Sequence, residues 1–104
     1  MKAADPTLTW ESVTAFVEEV SPDESLLLAD GLEAAFVGVA RQFSKPPVAV
    51  YDRDAVLAIF MTRDGMSEDD AFDHLEFNVM GGWHGEQTPL FLTFHPEARR
   101  ANPR

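Results

Sequence analysis

The residues of this chain best suited to chemistry fall in one stretch of its last third. His74, Glu76, Asn78, His84 and Glu86 gather there. Two imidazoles and a carboxylate could ligate a transition metal. His74 and Asn78 stand four apart, so a helix sets them on one face with Asp70. The spacing His-x-x-x-Asn nevertheless lacks the second histidine of a metalloprotease helix, and an amide is a poor ligand for such ions. No metal and no cofactor is therefore expected. The plainer reading pairs an exposed His74 with Asp70. General acid–base work by Glu76, Glu86 and His84 is the other enzymatic reading, and it requires a shared pocket and shifted pKa values. There is no nucleophile elbow, no phosphate-binding loop and no cysteine. Gly81-Gly82 with Gly85 follows a helix rather than opening one, so these glycines read as a helix stop and a turn. The expectation is a protein that is not an enzyme.

Charge is the second signal. Residues 64–86 hold seven acids and no Lys or Arg, within a chain of net charge −10. Glu68, Asp69, Asp70 and Asp73 lie close together, and Glu86 follows in the turn. Glu18, Glu19, Asp23 and Glu24 make a secondary acidic cluster. Solubility is the ordinary consequence of such a balance. The sharper consequence is a basic protein partner, such as a nucleic-acid-binding protein whose phosphate groove these acids occupy. Direct binding of nucleic acid or of an anionic membrane is disfavoured by repulsion. Trp83, between glycines, is either a lid on the core or a contact anchor for the partner.

These residues must be positioned by local elements. At 104 residues the chain is expected to form a single domain over 1–104, with 1–7 and 96–104 loose. Apolar residues at 45% are enough for a folded core rather than a disordered chain. The absence of cysteine excludes disulfides, and no apolar run has the length of a signal core or membrane span. A cytoplasmic location is the corresponding expectation.

Thr9 can cap a first helix over about 10–20, in which Trp10, Val13, Phe16, Val17 and Val20 form an apolar stripe. Leu26-Leu27-Leu28 reads as a short strand. Residues 35–42 read as a strand, with a helix over 32–43 as the alternative; strand is favoured because Ser44-Lys45-Pro46-Pro47 then links it to the clear strand Val48–Tyr51. Asp52 or Asp54 caps a central buried helix over about 53–63, closed by Gly65. Ser67 caps a third helix over about 68–80, with Ala71, Phe72, Leu75 and Val79 facing the core. Pro89 opens a last strand, Leu90–Phe94.

Several of these segments together resemble a family of small uncharacterised proteins of bacteriophages and bacterial genomes. The resemblance rests on Val48-Ala49-Val50-Tyr51-Asp52, on Asp64-Gly65-Met66-Ser67-Glu68-Asp69-Asp70-Ala71 and on Glu76-Phe77-Asn78-Val79-Met80-Gly81-Gly82-Trp83-His84-Gly85-Glu86-Gln87-Thr88-Pro89. It spans roughly Asp30 to Phe91. The chain departs from the pattern at Gly82, where alanine is expected, and at His84, where an apolar residue is usual. The second departure counts against a catalytic His84. The resemblance implies a phage or prophage setting, and no particular reaction.

The expected fold class is α+β, a small antiparallel sheet of three to four strands with about three helices on one face. The expected function is a non-enzymatic acidic protein-binding module, one form of which is an inhibitor of a host nucleic-acid-binding defence system of the anti-CRISPR or anti-restriction kind. Its binding residues would be Glu68, Asp69, Asp70, Asp73, Trp83 and Glu86. The alternatives are a small enzyme or metal-binding domain using Glu76, Asn78, His84 and Glu86, and a phage accessory or structural protein.

Overall fold

Thr9 and Ser12 begin the fold with a reciprocal cap. The Thr9 hydroxyl accepts the Ser12 N–H at 3.1 Å, and the Ser12 hydroxyl accepts the Thr9 N–H at 2.9 Å. Two donors that a helix start leaves unpaired are thus satisfied at α1 (Trp10–Val20). The computed structural model describes residues 8–101, so the loose lead-in expected over 1–7 lies outside the described residues. Val13 and Val17 bury fully, whereas Trp10, Phe16 and Val20 of the expected stripe stay partly in solvent. Phe16 sets its ring edge-on to Phe36 at 6.0 Å, which docks α1 on the sheet.

The sheet has three strands in the order β1 (Phe36–Ala40), β2 (Val48–Asp52) and β3 (Leu90–Leu92). A single turn of 3₁₀ helix, Glu33–Ala35, leads into β1. The fold is a small α+β one, but the sheet is mixed rather than antiparallel. β1 and β2 pair antiparallel, with a bulge at Val37, and β2 and β3 pair parallel. Between β2 and β3 the chain passes through the helices and a long turn, ample for the crossover that a parallel pair requires. The row Phe36, Tyr51 and Phe91 crosses all three strands on the core face, its rings 5.7 and 5.9 Å apart. The opposite face carries the row Gly38, Val50 and Leu90.

Asp52 ends β2 and starts α2 (Arg53–Thr62). Its Oδ1 accepts the N–H groups of Asp54 at 3.0 Å and Ala55 at 3.4 Å. Ala55, Val56, Ile59 and Phe60 are buried with Ala49, Tyr51, Ala71 and Leu75 in one core. Gly65 takes a left-handed φ of 72°, where a side chain is disfavoured, and turns the chain into α3 (Glu68–His74). The Ser67 hydroxyl accepts the Asp70 N–H at 3.1 Å. The expected helix over 68–80 does not stay α-helical. From Leu75 to Val79 it widens into a π-helical turn, closed by the Met80 N–H on the Leu75 carbonyl.

Four further expectations are corrected. Leu26–Leu28 is not a strand; it crosses above the core face, where Ala29 donates its N–H to the Tyr51 hydroxyl at 2.8 Å instead of pairing with a neighbouring strand. Phe72 does not face the core but stays 44% exposed: Ala71 and Leu75 set the buried face, and the Arg53 guanidinium lies over the Phe72 ring at 5.1 Å. The last strand stops at Leu92, two residues early. Of the tail expected to be loose, Pro96–Ala101 forms α4, and residues 102–104 lie outside the described residues. No helix among the described residues is long and apolar enough to cross a membrane.

Candidate functional site

α3 presents its charge outward. Ala71 and Leu75 fix the buried face, and this turns Glu68, Asp69, Asp70 and Asp73 to solvent. Among the described residues no Lys, Arg or His lies within ion-pairing distance of these four carboxylates. The first three also stand in the opening turn, where the helix dipole favours them. The four acids are therefore held in place by capping and packing, and their charges face only water.

Beyond α3 two aromatic rings are bare. Phe77 is 77% exposed and Trp83 74% exposed. The lid role weighed for Trp83 is thereby overturned. Its turn is pinned by other means: the Thr88 hydroxyl accepts the His84 N–H at 2.7 Å and donates to the Gly85 carbonyl at 2.7 Å, with Gly85 at a φ of 98°. Gln87 then ties the turn to the body through the Ser25 and Pro47 carbonyls, at 2.6 and 3.2 Å. With its own bonds satisfied the turn needs no aromatic anchor, and the indole is left outside. Phe77 was missed because the π-helical turn, which spacing does not reveal, decides where it points.

The remaining acids are dispersed. Glu86 pairs with Lys45 at 3.7 Å and Glu76 with Arg53 at 3.6 Å. Both pairs are partly in solvent, so each contributes little stability. Glu18, Glu19, Asp23 and Glu24 flank the end of α1, all exposed. There the Arg41 guanidinium reaches the Val20 carbonyl at 2.5 Å and the Ser21 hydroxyl at 2.8 Å. This cation from another element offsets the helix's negative end, which the local sequence leaves uncompensated.

The structure brings together a different set. A cleft of about 990 Å³ is lined by His74, Asn78 and His84 amid mainly apolar side chains, including Phe60, Val79 and Phe91. His74 does not pair with Asp70. Its Nδ1 meets the Asn78 side-chain nitrogen at 3.0 Å, and its ring stands edge-on to Phe60 at 4.7 Å. Glu76 and Glu86 do not line this cleft; Asp30 is its carboxylate. Arg63, also on its wall, is held by both oxygens of Asp64, at 2.9 and 3.0 Å, and by the Gly31 carbonyl at 2.7 Å. That fork raises the Arg63 pKa and, chiefly through the same hydrogen bond, lowers that of Asp64. Among the described residues no three His, Asp or Glu side chains converge as a metal site would require. Compared with known proteins, the chain matches no protein family, no curated protein and no solved structure.

Proposed function

We propose that this chain is a non-enzymatic acidic module that binds a basic protein surface through α3 and the turn beyond it. One observation carries the proposal: four exposed carboxylates with no ion-pair partner among the described residues, on the same helical stretch as the bare Phe77 and shortly before the bare Trp83. Unpaired acids steer a basic partner and select against an acidic one. Aromatic anchors supply the desolvated centre on which affinity depends. Phosphate grooves of nucleic-acid-binding proteins have the complementary chemistry. The phage or prophage setting that the resemblance implies would suit an inhibitor that occupies such a groove in a host defence protein.

The test is a quantified pull-down from a bacterial lysate with the wild-type chain and with a variant carrying Lys at Glu68, Asp69, Asp70 and Asp73. Basic proteins should be captured by the wild type at low salt, released as salt rises, and ignored by the variant. Capture of an acidic partner, or capture unaffected by both changes, would sink the proposal.

A second reading has one observation in its favour. His74, Asn78 and His84 line one apolar cleft, as they would in a small-molecule site. The carboxylates that acid–base chemistry would draw on, Glu76 and Glu86, are engaged by Arg53 and Lys45.

A further inference from the structure

Among the described residues β3 is an edge strand whose outer side is open. Its residues pair with Val50, Tyr51 and Asp52 on one side, and no backbone hydrogen bond among the described residues engages Leu90–Leu92 on the other. Alternate side chains of a strand point to opposite faces. Leu90, Phe91 and Leu92 line the cleft in succession, with Val50 and Ala40 of the neighbouring strands beside them, so the cleft reaches both faces of the sheet at β3. Its other walls include the helical segment that carries His74, Asn78 and Val79.

A groove between an edge strand and a helix is the setting in which proteins add an extended segment as a further strand. Natural edges are commonly blunted by charge, proline or a bulge. Here Pro89 stands just before the strand, but Leu90–Leu92 carries no charge and no bulge. The bulge lies on the far strand, at Val37.

We infer that this groove takes an extended segment of a partner protein as a fourth strand along β3. The segment is apolar where its side chains enter the groove and carries Lys or Arg at its ends. Charge identifies these ends. Asp30 lines the groove, its helical wall continues from the acids of α3, and the cation on its wall, Arg63, is already bound by Asp64. An acidic segment would meet repulsion from both the wall and a chain of net charge −10. The basic character of the ends rests on the proposed function; strand addition rests on the open edge alone.

The experiment leaves the protein unmutated. A displayed library of short peptides with randomised centres between paired lysines is selected on the full chain. The best binder is resynthesised with Glu flanks, and with backbone N-methylation at alternate residues in each of the two possible registers. Methylation in one register should weaken binding about tenfold or more while the other register is tolerated. Amide resonances of Leu90–Leu92 should move on titration, and Glu flanks should weaken binding. A library that yields no binder, methylation tolerated in both registers, or resonance changes that spare β3 would each overturn strand addition. If Glu and Lys flanks bind alike while the methylation pattern holds, the basic-partner reading falls and strand addition stands.

Discussion

The Tyr51 hydroxyl accepts the Ala29 backbone N–H at 2.8 Å across 22 residues of sequence. The ring of Tyr51 is 1% exposed and lies between Phe36 and Phe91, so this bond fastens the Leu26–Ala29 segment over the centre of the sheet. Tyr51→Phe keeps the ring packing and leaves a part-buried N–H without its acceptor. A loss of about 1–3 kcal/mol is expected in denaturant unfolding. An unchanged midpoint would mean that water replaces the hydroxyl at no cost.

The same residue makes stability sensitive to alkali. Burial raises the Tyr51 pKa above 10.0, Ala29 pulls it back by donating to the oxygen, and the charge of Glu33 pushes it up again. The folded state thus holds its phenolic proton more tightly than the unfolded chain. This contribution is complete below pH 10, where the unfolded phenol is protonated, and is lost as pH rises through the higher folded value. Tyr51 is the only tyrosine, so the absorbance of its phenolate reports it directly. Ionisation should appear above the value for free tyrosine, and Tyr51→Phe should flatten its part of the alkaline loss. Ionisation at the ordinary value would refute the burial of the ring.

Arg53 joins α2 to α3 without a hydrophobic contact of the usual kind. Its guanidinium lies 5.1 Å from the Phe72 ring centroid, with Glu76 at 3.6 Å and Asp54 at 3.8 Å. Lysine keeps the charge but cannot lay a planar group over the ring while reaching both acids. Arg53→Lys should cost about 0.5–1 kcal/mol. A double-mutant cycle with Phe72→Leu should show coupling of similar size, and strict additivity would show that the cation–ring contact adds nothing.

The Ser67 hydroxyl caps α3 by accepting the Asp70 N–H. Ser67→Ala should cost about 1 kcal/mol, and Ser67→Asp should recover most of it. Equal thermal midpoints for all three chains would show that the opening turn is held by packing alone.

Capping residues and apolar spacing made α1, α2 and the start of α3 legible, because both act within a few residues of chain. β2 was legible for the same reason. The direction of β3 was not, since alternation marks a strand but not which way it runs beside its neighbour. Leu26–Leu28 has strand-like composition, yet the Tyr51 hydroxyl, far away in sequence, takes up the donor at Ala29. Phe72 and Phe77 escaped because α3 turns Ala71 and Leu75 inward and a π-helical turn follows, and neither is evident from spacing. At the site, the unpaired acids of α3 were visible as a stretch without Lys or Arg. The cleft and the open edge of β3 exist only once distant segments meet.

Phe77 and Trp83 separate binding from folding. Both rings are about three-quarters exposed, so removing either takes little from the core. Phe77→Ala and Trp83→Ala should each change stability by no more than about 0.5 kcal/mol. An aromatic anchor at the centre of an interface is commonly worth about 2 kcal/mol or more on truncation. Each substitution should therefore weaken capture of the basic partner about 30-fold, mainly by faster dissociation. Charge reversal in α3 should instead slow association and flatten its salt dependence. Calorimetry of the variants alone, followed by binding kinetics against the captured partner at two salt concentrations, distinguishes these effects. Loss of thermal stability would make the rings part of the core. Full retention of binding would move the interface away from this turn.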